Sequence, residues 1–255
     1  MANYNSMELM VCVAARLLKD GSTVGVGTGA PCAAAMLAQK TSSPDLYIIF
    51  EAGGLAPQLP SMPISVGDSR TFHKALMATS MLRVFDACQR GMVDYTFLGG
   101  AQIDAYGNLN STVIGDFYKP KVRFPGSGGA NDFASLCWNT IVMTSQNSKR
   151  FVEKLDFLTT PGYLTGPGAR EEAGLPANSG PYKIITDLAV LRFNDDTKRM
   201  EVESLHPGFT FDKVQENTGF ELGKAKTIAQ TEPPKENELK ILREQVDPNC
   251  YVIGR

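Results

Sequence analysis

The sequence has few of the side chains that bind metal ions. It contains only two histidines, His73 and His206, which lie far apart, and five scattered cysteines without a CxxC pair. Metal sites built from histidine and cysteine need several such ligands at short spacings. The pattern therefore argues against a His/Cys metal cluster and is typical of reduced, mostly buried thiols in a cytosolic protein.

The sequence also lacks an excess of one charge and a long apolar segment. Its 25 basic and 27 acidic residues leave a net charge of −2, which argues against nucleic acid or an anionic membrane as a partner. No apolar stretch approaches the ~20 residues that a membrane-spanning helix needs, and the polar N-terminus lacks the basic region of a secretory signal. We therefore predict a cytoplasmic protein with no nucleic-acid or membrane partner.

What is present is an alternation of helix and strand signals. Apolar residues at helical spacing predict a helix over 7–18 after Ser6, and a second over 31–40, where Pro31 suits the first turn. The 43% hydrophobic content is enough to bury a full core. We expect an α/β fold, a parallel-rich open sheet flanked by helices, in a single domain over 1–255. Bulky apolar runs predict its strands at 23–26, 46–51, 93–99, 140–143 and 183–186, and a hairpin that starts at 189–193.

Glu51 lies where one of these strands ends and a pair of glycines begins. The apolar run before it is typical of a buried strand in a parallel sheet, and such sheets bind ligands at the carboxyl ends of their strands. Gly53 and Gly54 let a ligand or another segment approach the backbone closely. A carboxylate in this place has two uses: it can attack an acyl group as a nucleophile, or it can bind a hydroxyl group of a nucleotide.

A glycine-rich loop, Gly25-Val26-Gly27-Thr28-Gly29-Ala30, joins the first predicted strand to the helix that follows it. The loop fits the GxGxxG/A pattern of dinucleotide-binding folds, in which backbone N–H groups hold a pyrophosphate and a downstream acid binds the ribose. Glycine-rich turns are common in α/β proteins, so the loop also fits a structural turn or the wall of another site. Two further glycine clusters, which a hydride-transfer domain does not need, favour the wall of another site.

These two clusters are Gly99–Asp104, after a predicted strand, and the segment 125–132. In the second, Gly128 and Gly129 precede a predicted helix start and leave successive N–H groups unpaired, as an oxyanion hole or a phosphate nest requires. A tight turn is the alternative interpretation. Because loops of this kind collect at one edge of an α/β sheet, three of them together with Glu51 predict a functional site.

With these segments identified, the chain resembles the B (beta) subunits of glutaconate CoA-transferases, which are family I CoA-transferases. The resemblance covers essentially the whole chain and implies the CoA-transferase (NagB/RpiA-like) fold. Its most specific motifs are Glu51-Ala52-Gly53, Ser65-Val66-Gly67-Asp68, Gly99–Asp104 with Tyr106-Gly107-Asn108, and Gly126-Ser127-Gly128-Gly129-Ala130-Asn131. In the family the glutamate motif most often has serine where this chain has Ala52.

The resemblance implies a function for these positions. Glu51 matches the nucleophile of the family, and the segment Gly126–Asn131 matches a loop that binds CoA and stabilises the oxyanion. Coenzyme A is then the substrate and the covalently bound intermediate, acyl-CoA and a carboxylic acid are the reactants, and no NAD or metal is expected. The implied partner is the alpha subunit of the same CoA-transferase, in a hetero-oligomer. Further positions that we expect to line the pocket are Gly25, Gly27, Gly29, Gly53, Gly54, Gln102 and Asn110.

Two other functions stay open at this point. Relatives of this fold include subunits of a ring-cleaving hydrolase and of a decarboxylase, so the chain could belong to an acyl-CoA hydrolase or lyase. The unaltered Glu51 speaks against that class, because its members have an altered glutamate motif. A non-enzymatic nucleotide-binding subunit is the third possibility, although it leaves Glu51 and the Gly126–Asn131 loop without a role.

Overall fold

The structure of the protein is a computed structural model that describes residues 3–254. Its helices are α1 (Ser6–Leu17), α2 (Ala30–Lys40), α3 (Met81–Gln89), α4 (Ala130–Leu136), α5 (Ala169–Glu172), α6 (Phe211–Glu216) and α7 (Glu236–Ile241). Its strands are β1 (Thr23–Val26), β2 (Tyr47–Phe50), β3 (Gly54–Leu55), β4 (Met77–Ala78), β5 (Tyr95–Leu98), β6 (Gln102–Ile103), β7 (Leu109–Asn110), β8 (Val113–Gly115), β9 (Pro120–Arg123), β10 (Asn139–Met143), β11 (Gly180–Ile185), β12 (Ala189–Phe193), β13 (Met200–Leu205) and β14 (Gly223–Gln230). A 3-10 turn at Ser69–Phe72 and a π-helical turn at Leu242–Val246 complete the regular structure of this part of the chain.

The chain forms two compact units. Unit 1 comprises the described parts of Met1–Phe97 and Glu232–Arg255, and unit 2 is the continuous segment Leu98–Thr231. The expected division of the chain was a single domain over 1–255, which stays a prediction.

The strands of unit 1 run in the order β5-β1-β2-β3-β4. β1 pairs in parallel with both β2 and β5, whereas β3 and β4 add antiparallel pairs. Helix α2 buries a run of small side chains, from Cys32 to Ala38, because alanine and cysteine let a helix pack closely. This arrangement brings the ends of β1 and β2, where the predicted nucleophile lies, to the same edge.

Unit 1 is completed by the C-terminal segment. Arg243 donates to both carboxylate oxygens of Glu8, at 2.6 and 2.9 Å, and Arg16 donates to those of Glu238, at 2.8 and 2.5 Å. Glu8 also closes a capping box with Asn5, whose side chain accepts from the Glu8 N–H at 2.9 Å. The helix α1 therefore begins after Asn5, one residue earlier than the sequence pattern predicts.

In unit 2 the strands run β14-β13-β12-β11-β10, with parallel pairs at both ends and antiparallel pairs between them. The hairpins β6–β7 and β8–β9 lie outside this ladder. The core is formed by apolar side chains that alternate along the strands, among them Ile103, Val142, Ile184, Leu191 and Val202. Together with unit 1, this confirms the predicted α/β class with a parallel-rich sheet flanked by helices.

His206 has a structural place in unit 2. It is 1% exposed, its Nε2 lies 2.8 Å from the Thr186 carbonyl and its Nδ1 lies 2.9 Å from the Thr231 hydroxyl. A carbonyl can only accept, so Nε2 carries the proton and Nδ1 accepts from Thr231. Burial lowers the pKa of His206, so the ring is neutral in the folded chain.

This lowered pKa predicts a loss of stability in acid. Above the unfolded-state pKa of about 6.5 the neutral ring stabilises the fold, and this contribution falls as the pH drops toward the lower folded pKa, because the unfolded chain then binds the proton more readily. We expect the melting temperature of wild type to approach that of His206→Gln by a few degrees between pH 7.5 and 5.5, since about 1 kcal/mol moves Tm by roughly 2–4 °C at this size. Thermal melts of both proteins across this range measure the difference, and a constant gap would contradict the assignment.

Candidate active site

Glu51 follows directly after β2, at the carboxyl edge of unit 1. The register pairs Val26 of β1 with Phe50 of β2, so Gly27 and Glu51 leave neighbouring strands at the same level, where strands lie about 4.8 Å apart. The side chain of Glu51 is half-buried. Among the described residues of its own unit, none gives the carboxylate a hydrogen bond or an ion pair. The carboxylate is therefore free to react or to bind.

The Gly25–Ala30 loop forms one side of this edge. Gly25 lies within β1 and pairs with Ile49, whereas Gly29 has a φ of 80° and caps helix α2. A Cβ atom added at Gly27 or at Gly29 would meet no atom within 4 Å. The loop thus borders open space beside Glu51, as the prediction of a pocket wall requires.

The next position of interest on this side is Cys32, in the first turn of α2. It is fully buried, and burial raises the pKa of its thiol to about 12. A thiol with such a pKa is protonated at neutral pH and is a poor nucleophile. Cys32 therefore serves packing.

Gly53 and Gly54 have a different environment. A Cβ at Gly53 would lie 2.2 Å from the carbonyl oxygen of Thr79, and one at Gly54 would lie 2.0 Å from that of Thr71. Both glycines are buried and let the β3–β4 segment of the same chain pack onto the turn that carries Glu51. Their role as pocket lining stays a prediction, whereas their role in shaping this turn follows from the contacts.

In unit 2 the loop Gly126–Asn131 is fixed at its beginning by Ser111. The Gly126 N–H donates to the Ser111 carbonyl at 3.0 Å, and the Ser111 hydroxyl donates to the Gly126 carbonyl at 3.0 Å. Ser127 then forms the turn, since its carbonyl accepts from the Ala130 N–H and its hydroxyl accepts from the Asn131 N–H, each at 3.0 Å. The loop is an ordered turn that leads into α4.

Within this turn, the N–H groups of Gly128 and Gly129 have no hydrogen-bond partner among residues 3–254. Gly128 has a φ of 50° and open space where a Cβ would be. Gly129 has a φ of −81° and is buried at the start of α4. Two successive free amides match the predicted oxyanion hole or nest, and the left-handed backbone that favours glycine is confined to Gly128 in this pair.

The far end of the loop is fixed by Asn131, whose side-chain amide donates to the Thr159 carbonyl at 3.0 Å. The Thr159 hydroxyl in turn accepts from the Ser111 N–H at 2.9 Å. Ser111 and Thr159 thus connect both ends of the loop. Sequence reasoning missed these two residues, because an isolated serine or threonine in a loop carries no motif.

Gln102 and Asn110 are buried in hydrogen bonds of their own unit. Both amide hydrogens of Asn110 are used, since they bond the Gln102 carbonyl oxygen at 2.7 Å and the Val113 carbonyl at 2.6 Å. Gln102 donates to Asp156 at 3.0 Å and accepts from the Asp156 N–H at 3.0 Å. These contacts stitch the β6–β7 hairpin to its neighbours and leave Asn110 no free donor. Pocket lining by the pair stays a prediction.

Two general observations bear on the chemistry. Within residues 3–254, no three histidine, cysteine, aspartate or glutamate side chains come together as they would to hold a metal ion. In the same part of the chain, no helix is both long and apolar enough to cross a membrane.

The family follows from comparison with known proteins. The model of the coenzyme A transferase family matches residues 8–217. The chain belongs to this family. The transferase is 39% identical to the B (beta) subunit of glutaconate CoA-transferase from Acidaminococcus fermentans, over 98% of this chain and 96% of that one. It is also 41% identical to the corresponding B (beta) subunit of 3-oxoadipate CoA-transferase from Pseudomonas knackmussii, over 95% of this chain and 94% of that one.

A solved structure shows the same fold. The crystal structure of glutaconate coenzyme A-transferase from Acidaminococcus fermentans matches the transferase with a TM-score of 0.94 at 38% identity, covering 99% of this chain and 98% of the other. The resemblance seen in the sequence, the fold class and the CoA-transferase class of enzyme are confirmed. This sets aside the dinucleotide-binding interpretation of the Gly25–Ala30 loop and the non-enzymatic nucleotide-binding alternative.

Proposed function

We propose that the chain is the nucleophile-bearing subunit of a heteromeric CoA-transferase that moves CoA between an acyl-CoA and a carboxylic acid. The observation that carries the proposal is the unpaired, half-buried carboxylate of Glu51 at the carboxyl edge of β2, beside the open Gly27–Gly29 loop. A carboxylate that is held by neither hydrogen bonds nor a cation keeps its lone pairs available for attack.

The proposed reaction proceeds through a covalent intermediate on Glu51. The Glu51 carboxylate attacks the thioester carbonyl of the acyl-CoA, which gives an acyl-glutamyl anhydride and releases CoA thiolate. The thiolate attacks the glutamyl carbonyl, so that a glutamyl-CoA thioester forms and the first acid leaves. The carboxylate of the second acid then attacks this thioester, and the released thiolate takes up the new acyl group and regenerates Glu51.

Each of these attacks places negative charge on a carbonyl oxygen. We assign the free N–H groups of Gly128 and Gly129 to this oxyanion, since a well-placed donor stabilises it by about 3–4 kcal/mol. The remaining loop residues, from Gly126 to Asn131, are assigned to holding CoA. No histidine is needed, which agrees with the exposed His73 and the structural His206.

A second polypeptide is part of the proposal. Both relatives described above are named as one subunit of a transferase, and this motivates the alpha subunit of the same CoA-transferase in the role of partner. The surface of unit 1 supports the idea, because large apolar side chains concentrated in one exposed segment are typical of chains that have a partner. These exposed side chains are Ile64, Leu76, Met77, Met81 and Leu82. The cytoplasmic location of the enzyme stays a prediction.

We expect the isolated chain to be inactive, and the chain co-expressed with its alpha subunit to form an active heteromer. Size-exclusion chromatography with light scattering gives the assembly, and a CoA-transfer assay with a panel of dicarboxylic and aromatic acids gives the activity and the acceptor. A fully active homo-oligomer of this chain would sink the heteromer. A heteromer that releases free acid and CoA without an acceptor would instead identify an acyl-CoA hydrolase.

A further inference from the structure

The side chain of Arg170 is buried in unit 2 and contacts neutral groups. It is 2% exposed. Its Nη1 donates to the carbonyls of Pro161 at 3.3 Å and Gly162 at 2.9 Å. Its Nη2 donates to the carbonyl of Ala134 at 3.1 Å and to the hydroxyl of Ser179 at 2.9 Å. The guanidinium thus bridges three separate parts of the chain.

This arginine lacks a compensating charge. Within the described residues it forms no ion pair, its Nε has no hydrogen-bond partner, and burial lowers its pKa. Buried cations are almost always paired with a carboxylate, because an unpaired charge in the interior is costly. An apolar side chain would fill the same volume without that cost. The guanidinium is therefore retained for what it connects.

One of its contacts is to the end of α4. Ala134 lies among the last four residues of this helix, whose carbonyls have no partner inside the helix. A cation at this end also interacts favourably with the helix dipole. At the other end of α4, the Asn131 amide donates to the Thr159 carbonyl at 3.0 Å. The helix is thus attached at both ends to the segment 159–162.

The free amides of Gly128 and Gly129 lie immediately before α4, so the direction in which they point depends on how this helix is held. We propose that Arg170 is a positioning residue, which fixes α4 to the segment 159–162 and thereby aims these two N–H groups. The inference rests on the oxyanion role proposed above. A planar guanidinium suits this task because its fork reaches the helix carbonyl and the loop carbonyls at once, whereas a lysine ammonium is a single point donor.

Kinetics of the heteromer test the inference through Arg170→Met and Arg170→Lys. We expect kcat to fall about tenfold to a hundredfold in both variants, because small displacements of catalytic groups have effects of this size. KM for the acyl-CoA should change less than about twofold, since the loss is confined to the transition state. Ser179→Ala is the matched control, because it removes a partner of the same guanidinium on the side away from α4, and its kcat should stay within about twofold of wild type.

Hydrogen exchange provides a readout that does not depend on the reaction. We expect amides in 126–136 to exchange at least tenfold faster in Arg170→Met than in wild type, with β12 and β13 unchanged. If the wild-type heteromer transfers no CoA, the proposed function fails, and the exchange result still decides the role of Arg170. Unchanged exchange in 126–136, or a loss of kcat no larger than that of Ser179→Ala, would overturn it. If Arg170→Met does not fold, Arg170→Lys decides both readouts.

Discussion

Glu51→Gln is expected to reduce CoA transfer to less than a few per cent of wild type, while the fold and melting temperature stay near their wild-type values. The amide has the same shape as the carboxylate but cannot form an acyl anhydride with the thioester. The half-buried side chain has no partner in unit 1, so its replacement leaves no buried group unsatisfied. Transfer assays on freshly prepared heteromer measure the loss, because slow deamidation can restore the acid.

Asp45→Asn is the matched control for this variant. Asp45 is exposed just before β2, at the opposite end of the strand that leads to Glu51, so its neutralisation removes one carboxylate and should leave transfer intact. Borohydride treatment in the presence of acyl-CoA should reduce a glutamyl-CoA thioester at Glu51 in wild type and in Asp45→Asn alone. Substantial transfer by fresh Glu51→Gln, or an adduct on another residue, would show that the nucleophile lies elsewhere.

Gly128→Val should lower kcat by roughly a hundredfold or more, which is the usual effect of losing an oxyanion donor. The φ of 50° at Gly128 is unfavourable for a β-branched residue, so the turn must shift. The new side chain also projects into the open space above the loop and blocks the approach of an acyl group to the free amides. The same assay on Gly129→Val should show a similar loss through the second donor.

The backbone cost of this change can be separated from its effect on catalysis. Gly174 also has a positive φ, 79°, and open space at its Cβ position, but it lies after α5 and away from the loop. Gly174→Val should therefore lose a comparable amount of stability and keep its turnover. Equal turnover in the two variants would mean that Gly128 only shapes a turn.

The regular elements that the sequence predicted are those whose apolar pattern is strong. The strand at 23–26 and the helix over 31–40 match β1 and α2 within a residue. In contrast, β14 was missed, because this edge strand is exposed along most of its length and shows no apolar alternation. The strands β3 and β4 have two residues each and exist only through their pairing, which no local signal reveals.

The candidate site was predictable to a similar degree. Glu51 and the Gly126–Asn131 loop stood out because carboxylates and double glycines are unusual at strand ends and helix starts. The glycines themselves were ambiguous: the open space at Gly27 and the tight backbone packing at Gly53 call for the same residue. Arg170 was missed since its partners are backbone carbonyls brought together by tertiary structure. Side chains that hold a site in place have no motif of their own.

The discontinuity of unit 1 has a consequence for the order of events during synthesis. Unit 2 is a continuous segment that ends at Thr231, and a continuous segment can fold as soon as it leaves the ribosome. Unit 1 still lacks the partners of Glu8 and Arg16 at that moment, because Arg243 and Glu238 are made last. The half of the chain that carries Glu51 is translated first and yet is the last to complete its own contacts.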